Sequence, residues 1–416
     1  MATQKQSTES YKGVRDFYPE DLYYRNYILN TFAKTAQSFG YEEYDASILE
    51  PAELYRGKTS DEIVNEQTYT FMDRGDREVT LRPEMTPTVA RLVAQRRREL
   101  GYPLRLFSNP NMFRYEKPQR GRLREFWQFN ADVFGIKGVE GDAEIVALGH
   151  ACITAFGATE SQFEIHVNDR RALNAIWAEN SLSDDEQKKV MALLDRKAKM
   201  TEEDFLRQMD NAVGTKTTHI LTSLKNIADY PTLVELMSYL KSLGVSNVKV
   251  NPELVRGFNY YTGVIMEAFD TSPDNRRAMY GGGRYDNLLT LFGEEPIPTV
   301  GFAIGDVVMK DFLQTHGLLP AYTPATDVMI CVVDAPAITQ AYALAKSLRD
   351  AGVSVAVNSS LRKLPDQFKS AEKLSLKKVI VLGSADTDTF SLKTLGASTE
   401  ERCTFERLVA ALTHKV

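Results

Sequence analysis

The sequence is poor in cysteine and histidine, and neither residue type is clustered. Cys152, Cys331 and Cys403 lie far apart and form no CxxC pair, which suits a reducing compartment and packing as small apolar side chains. The five histidines are dispersed, so no metal-ligand spacing is present. The sequence therefore predicts neither a disulfide framework nor a metal motif.

Long apolar runs and a strong charge imbalance are also missing. No run approaches the length of a membrane span, and the polar start MATQKQSTES has no apolar core like that of a signal peptide. We therefore expect a soluble, cytoplasmic protein without membrane contact. The formal charge of −6 gives no general attraction to nucleic acid, so such a site must be a local basic patch.

The order of sequence patterns predicts a sheet-rich part, a helical insertion and a C-terminal module. Residues 169–245 are charged and helix-favouring, with N-cap candidates at Ser183 and Thr201. A proline-rich linker begins at Gly317, and strands then alternate with helices over residues 326–416, which indicates a largely parallel α/β sheet. Other patterns predict helices near residues 22–39, 86–99 and 142–156, and a hairpin of residues 67–73 and 77–82.

The stretch from Met112 to Val133, MFRYEKPQRGRLREFWQFNADV, reads as two strands joined by a basic loop. Strand side chains alternate between faces, so the return strand has one largely apolar face and one that carries charge, amides and a ring. An arginine beside a phenylalanine, a glutamine and an acid is suited to binding a nucleotide and a polar substrate. An amphipathic hairpin with a solvated face is the alternative.

Several segments together resemble the class II aminoacyl-tRNA synthetases, specifically the histidyl-tRNA synthetase family. They are GVRDFYP, TLRPEMTPTVAR, FRYEKPQRGRLREFWQF, LVRGFNYYTG and YGGGRYDNLL, in the order of that family. The resemblance implies an α+β fold: an antiparallel class II catalytic core over residues 1–320, with the helical insertion, and an α/β anticodon-binding domain over residues 326–416. The glycines of YGGGRYD lack Walker spacing and a strand-GxGxxG-helix context, so they predict close backbone approach rather than a phosphate loop.

The resemblance implies roles at the ATP end of a catalytic site. Arg114 would bind the α-phosphate, Phe126 would stack on adenine, Glu116 would help to hold ATP, and Arg122 would reach the outer phosphates. Arg256 would lie opposite Arg114 and stabilise the charge that develops on the α-phosphate. ATP would enter with Mg²⁺ as a substrate, and no prosthetic group is expected.

The same resemblance implies a histidine site and tRNA contacts. The histidine-binding residues would be Glu84, Thr86, Gln128, Asp132, Arg256, Tyr261 and Tyr285. The family usually has glutamate where Asp132 stands. The hairpin loop would reach the acceptor end of tRNA through Gln119 and Arg120, and Arg362 and Lys363 would contact the anticodon stem-loop, although solvated surface explains the last two equally well.

Three positions depart from the family pattern. Ser47 replaces a proline of the dimer-interface motif, and Asn259 replaces a common aspartate. Val308 stands where the third class II motif ends in an arginine that binds the γ-phosphate, and valine cannot replace a guanidinium. Another arginine would then carry the outer phosphate, with these candidates: Arg120, Arg122 and Arg284.

The implied function is ATP-dependent formation of histidyl-adenylate followed by transfer of histidine to tRNA-His, by a homodimer. A histidine-sensing regulatory subunit, like the synthetase-like subunit of ATP phosphoribosyltransferase, is the alternative. That alternative explains Val308, but it leaves Arg256 and the C-terminal module without a purpose.

Overall fold

The structure is a computed structural model that describes residues 7–56, 67–255, 260–275, 277–386, 388–397 and 399–413. Two compact units make up the chain: Met1–Phe17 with Tyr24–Leu319, and Tyr18–Tyr23 with Pro320–Val416. Among the described residues, no helix has the length and apolar character needed to cross a membrane.

Strands and helices alternate irregularly up to residue 319. The strands are β1 (Glu42–Glu43), β2 (Leu49–Pro51), β3 (Tyr69–Met72), β4 (Glu78–Leu81), β5 (Leu104–Ser108), β6 (Asn111–Phe113), β7 (Glu125–Phe134), β8 (Phe163–Asp169), β9 (Val248–Val250), β10 (Val264–Asp270), β11 (Ala278–Arg284) and β12 (Thr299–Gly305). The helices are α1 (Pro19–Ser38), α2 (Glu53–Arg56), α3 (Thr86–Arg96), α4 (Val139–Thr154), α5 (Arg170–Glu179), α6 (Asp184–Arg196), α7 (Glu202–Val213), α8 (Thr217–Lys225), α9 (Pro231–Ser242) and α10 (Asp306–Thr315).

A large sheet in the order β1-β5-β7-β12-β11-β10-β8-β9 forms the centre of the first unit, and β6 pairs with β7. Pairing is antiparallel except between β1 and β5 and between β8 and β9. The predicted antiparallel core is confirmed, as is the hairpin of β6 and β7. The hairpin of β3 and β4 is confirmed too, and it belongs to a smaller sheet in the order β2-β4-β3.

One face of the large sheet is covered by α4, which is buried along most of its length. Phe129, Ala131 and Val133 of β7 are fully buried in the same core as Ile145 and Leu148 of α4. A helix that is apolar on nearly all sides requires such a buried position, because little of its surface can face water. The opposite face of β7 is therefore the one left for chemistry.

The helices α5 to α9 form the predicted helical run between β8 and β9. Ser183 caps α6 in a capping box with Glu186, and Thr201 caps α7 by accepting from the Asp204 amide. Both predicted N-caps are confirmed. Each cap satisfies backbone N–H groups that have no partner within the helix.

The second unit contains a five-stranded sheet. Its elements are β13 (Val328–Val332), α11 (Ala337–Asp350), β14 (Val355–Asn358), α12 (Leu364–Lys373), β15 (Lys378–Leu382), β16 (Phe390–Thr394), β17 (Glu400–Cys403) and α13 (Phe405–Thr413). The order is β14-β13-β15-β16-β17, with the first three strands parallel as predicted. The hairpin of β16 and β17 was not predicted, because residues 400–402 are polar and exposed at the sheet edge and give no apolar alternation.

Arg284 at the end of β11 is buried and structural. Its Nη2 lies 2.8 Å from Oδ2 of Asp142 in α4, and the guanidinium also donates to the carbonyls of Ile136 and Gly138 at 3.0 Å each. Burial raises the pKa of Asp142 to about 6, against the opposing effect of Arg284. The prediction that Arg284 could bind the outer phosphate of ATP is wrong, because its donors are used inside the fold.

Replacement of Arg284 by Met is expected to lower the free energy of unfolding at pH 8 by about 3–5 kcal/mol, since Asp142 then remains as a buried charge without its partner. Urea denaturation measures the loss. The loss of unfolding free energy should be smaller near pH 5, where Asp142 becomes protonated, because the pKa of Asp142 is about 6 even beside Arg284. The double variant Arg284→Met/Asp142→Leu is the matched control and should recover most of the stability. A loss below about 1 kcal/mol in the single variant would contradict the structural role.

Candidate active site

The polar face of β7 forms one wall of a cavity. Gln128, Asn130 and Asp132 line it, and they alternate along the strand with the buried apolar residues of the other face. The remaining lining comes from neighbouring strands and loops. The full set is Glu84, Thr86, Arg114, Gln128, Asn130, Asp132, Tyr260, Tyr261, Gly281, Tyr285, Gly301, Phe302 and Ala303.

Small residues keep the floor of this cavity open. Asp132 pairs in register with Gly301 of β12, which pairs with Gly283 of β11. A Cβ atom on Gly301 would lie 2.0 Å from Oδ1 of Asp132, and one on Gly283 would lie 2.9 Å from Cδ1 of Tyr261. Glycine is therefore required at both positions by close approach, which the sequence predicted for Gly283 in YGGGRYD but not for Gly301.

A buried carboxylate and a tyrosine form one polar pair in the cavity. The hydroxyl of Tyr285 donates to Oδ1 of Asp132, and both side chains are almost fully buried. Burial raises the pKa of Asp132 to about 7, and the hydrogen bond from Tyr285 opposes that rise. Near neutral pH this carboxyl group therefore changes between a hydrogen-bond donor and a pure acceptor.

Tyr260 belongs to the site although the sequence analysis did not select it. Its hydroxyl donates to Oε2 of Glu84 at 3.1 Å, and Glu84 is only 3% exposed. The ring of Tyr260 lies 5.0 Å from that of Tyr261 and 5.7 Å from that of Tyr285. The signal in the sequence was the adjacent pair of tyrosines, which on a regular strand would face opposite sides. Here residues 260 and 261 lie between strands, so both reach the cavity.

Arg114 extends over Phe126 at the wall of the cavity. The Arg114 Cζ atom lies 5.4 Å from the ring centroid of Phe126, and Nε donates to the Pro83 carbonyl at 2.9 Å. That geometry fixes the guanidinium while leaving its two terminal nitrogens for a ligand. Predicted residues Arg114 and Phe126 are thus brought together by the β6–β7 hairpin.

The loop of residues 117–123, called the hairpin loop below, carries the other predicted ATP and tRNA contacts of this region. Nη1 of Arg122 lies 3.1 Å from Oε2 of Glu116. Gln119 and Arg122 close a tight turn through reciprocal backbone hydrogen bonds, with Gly121 at a φ of +73° as its third residue requires. Gln119 and Arg120 are exposed at the tip of this turn.

The remaining predicted residues lie elsewhere. Arg256 and Asn259 lie outside the described residues, so the convergence of Arg256 and Arg114 stays a prediction. Arg362 and Lys363 are exposed in the second unit, directly before α12. Across the described part of the chain, no group of three or more His, Cys, Asp or Glu side chains is placed to hold a metal ion.

Comparison with known proteins agrees with this architecture. The family model "Histidyl-tRNA synthetase" matches residues 13–306, and the model "Anticodon binding domain" matches residues 327–415. The chain is 40% identical over 416 aligned residues to a histidine--tRNA ligase of Leptospira biflexa, with 95% of each chain covered. It is 35% identical to a histidine--tRNA ligase of Thermoplasma volcanium, again with 95% of each covered.

Solved structures show the same fold. The crystal structure of histidyl-tRNA synthetase from Nostoc sp. PCC 7120 matches with a TM-score of 0.82 at 21% sequence identity, covering 99% of this chain and 100% of that one. The similarity thus extends over the catalytic-type sheet and the C-terminal module. By sequence and by fold, this chain belongs to the histidyl-tRNA synthetase family, within the class II aminoacyl-tRNA synthetases.

Proposed function

We propose that this chain activates histidine with ATP to form histidyl-adenylate and then transfers the histidyl group to the 3′ end of tRNA-His. The observation that carries the proposal is that two buried carboxylates, Glu84 and Asp132, line the same cavity as a fixed guanidinium, Arg114. An amino acid with a cationic amine and a polar ring needs acceptors at both ends. ATP needs a cation at its phosphates.

The histidine end of the cavity is assigned from its acceptors. Glu84, with Thr86 beside it, accepts the substrate ammonium group, because a buried carboxylate is stabilised by an opposite charge. Asp132, with Tyr285 and Gln128, receives the imidazole N–H, and Tyr261 packs against the ring. The residues that we propose to bind free histidine are Glu84, Thr86, Gln128, Asp132, Tyr260, Tyr261 and Tyr285. Arg256 is assigned to the reacting carboxylate and α-phosphate instead.

The ATP end lies toward the β6–β7 hairpin. Arg114 binds the α-phosphate, Phe126 stacks on adenine, and Glu116 and Arg122 hold the nucleotide. Arg256 is assigned to the opposite side of the α-phosphate, where a guanidinium stabilises the charge of the transition state more than that of the ground state. Members of this family use ATP as substrate, generally with Mg²⁺, which neutralises phosphate charge.

The tRNA contacts follow the division of the chain. We assign the activation chemistry to residues 1–320, which include the helical insertion at residues 169–245, and anticodon binding to residues 326–416. Gln119 and Arg120 reach toward the acceptor end, and Arg362 and Lys363 contribute positive charge for the anticodon stem-loop. A cytoplasmic homodimer is part of the same proposal.

A histidine-sensing regulatory subunit is the less supported alternative. The curated relatives in Leptospira biflexa and Thermoplasma volcanium are named as ligases, and residues 327–415 match an anticodon-binding domain. Histidine sensing by itself does not require such a domain. The two functions differ in a measurable way, because only a ligase incorporates labelled pyrophosphate into ATP.

Purified protein is expected to catalyse histidine-dependent exchange of labelled pyrophosphate into ATP. Omission of histidine is the first control. Glu84→Gln is the second, and it should lose most of the exchange at low histidine concentration because the ammonium group loses its charged partner. An absence of exchange in the wild-type chain would remove the ligase proposal.

The affinity for histidine is expected to rise between pH 6 and pH 8 with a component centred near pH 7, where Asp132 loses its proton. Below that pH the protonated carboxyl is a poorer acceptor for the imidazole N–H, so histidine is expected to bind more weakly in acid. Calorimetric titration of wild type and Asp132→Asn isolates this component, since titration of free histidine is common to both. The variant should bind about tenfold more weakly at pH 8. Identical pH profiles would contradict the role of Asp132.

Arg256→Ala is expected to slow adenylate formation by an amount equivalent to about 3 kcal/mol of barrier, because the developing phosphate charge loses a fixed donor. Single-turnover measurements give the rate, and calorimetry without ATP gives histidine affinity, which should change little. A collapse of histidine affinity would instead place Arg256 mainly in the amino-acid site.

A further inference from the structure

Val308 lies in the first turn of α10, at the position where the family resemblance places a phosphate-binding arginine. We propose that Arg277, immediately before β11, supplies the missing guanidinium to the outer phosphates of ATP. This inference rests on the proposed function, because it names a binding residue for the same reaction. The supporting observations are the position of Arg277 in the sheet, the closeness of both Arg277 and Val308 to Gly121, the surrounding charge, and the partners of the other arginines.

The sheet brings the two positions together. Strands β11 and β12 are antiparallel, and Tyr280 near the start of β11 pairs with Ile304 near the end of β12. The residue before β11 and the first turn of α10 therefore lie at the same end of the sheet. Gln128 of β7 pairs with Gly305, so the hairpin loop that leads into β7 lies at that end too.

The side chains of Arg277 and Val308 both lie close to Gly121 of the hairpin loop. A Cβ atom built on Gly121 would lie 3.2 Å from Cδ of Arg277 and 3.7 Å from Cγ2 of Val308. One small volume thus borders both the half-buried stem of Arg277 and the valine. A guanidinium that reaches in from position 277 consequently enters the region that an arginine at position 308 would occupy.

The charges around Arg277 favour an anion. Burial lowers the pKa of its guanidinium, and nearby Arg122 lowers it further, while Glu116 opposes both effects. Glu116 is already paired with Arg122, with 3.1 Å between Oε2 and Nη1, so it does not neutralise Arg277 and positive charge is left over. A polyphosphate is the anion that the proposed reaction brings to this position.

The other candidate arginines already have partners. Arg284 is buried against Asp142, and Nε of Arg120 lies 3.8 Å from Asp311 while its Nη2 donates to Asn275. By contrast, within the part of the chain that the structure describes, no carboxylate oxygen lies within 4.0 Å of the Arg277 guanidinium. Its terminal nitrogens are therefore available for phosphate oxygens.

The chemical contribution concerns the leaving group. An oxygen of the histidine carboxylate forms a bond to the α-phosphorus, the bond from that phosphorus to the α,β-bridging oxygen breaks, and its electron pair leaves with pyrophosphate. Arg277 holds the outer phosphates in line and stabilises the charge that they gain. Arg114 acts on the α-phosphate, which both ATP and AMP contain, whereas Arg277 acts on the outer phosphates, which only ATP contains. Binding of these two nucleotides therefore distinguishes the two arginines.

Equilibrium binding of ATP and of AMP tests this assignment. Arg277→Ala and Arg277→Gln are expected to weaken ATP binding by about 10- to 100-fold, as loss of a charge-assisted hydrogen bond does. AMP has no outer phosphates, so its affinity should stay within about twofold of wild type. Arg207→Ala, which removes an exposed arginine of the insertion, is the matched control and should change neither affinity.

A second experiment transfers the guanidinium from position 277 to position 308. The double variant Arg277→Ala/Val308→Arg is expected to recover at least tenfold of the lost ATP affinity and pyrophosphate exchange, because a guanidinium then enters the same volume from α10. Thermal unfolding identifies any variant that fails to fold, and Arg277→Gln retains the polar stem if Arg277→Ala fails.

The results separate this inference from the proposed function. If wild type exchanges pyrophosphate but the folded Arg277 variants bind ATP within about twofold of wild type, the role of Arg277 is overturned and the ligase proposal stands. Equal weakening of ATP and AMP also overturns it, because the residue would then only support the site as a whole. Absence of exchange in wild type removes both.

Discussion

The site depends on the antiparallel pairing of β7 with β12, which sets Asp132 directly against Gly301. The pairing places a carboxylate on a surface without a side chain, and the residues that follow on the β12 and β11 side are small, whereas Leu106 of β5 pairs with Asp132 on the other side. Gly281 and Ala303 line the cavity, and Gly283 pairs with Gly301. A shift of one residue in this register would turn Asp132 into the apolar core and Ala131 or Val133 into the cavity, which makes the register costly to change.

The same sheet sustains two chemically opposite environments. On one face, α4 and three residues of β7, Phe129, Ala131 and Val133, exclude water and stabilise the fold by apolar burial. On the other face, tyrosine hydroxyls meet the buried carboxylates, with Tyr260 on Glu84 and Tyr285 on Asp132. These contacts hold the acceptors in place before a substrate arrives, so little reorganisation is needed on binding.

The arginines of the chain fall into separate physical groups. Arg284 is a buried structural cation, held by Asp142 and two carbonyls, and it stabilises the junction of β11 and α4. Arg114, Arg122 and Arg277 instead border the space around the hairpin and retain donors or excess charge. Residue type alone does not distinguish these groups. The distinction comes from whether folding buries the guanidinium among its partners, as it does for Arg284, or leaves it partly exposed, as it does for Arg122 beside Glu116.

The sequence by itself determined the alternation of β7, the antiparallel core, the helical insertion with its caps at Ser183 and Thr201, and most residues of the cavity. These depend on local periodicity, on capping chemistry and on motifs whose residues lie close together in the chain. Tyr260, the burial of Arg284, the edge hairpin of β16 and β17, and the position of Arg277 beside Val308 were decided only by the tertiary structure. Each depends on contacts between residues distant in sequence or on polar edge strands, and local patterns carry no information about which distant side chain completes a charge pair or borders an empty volume.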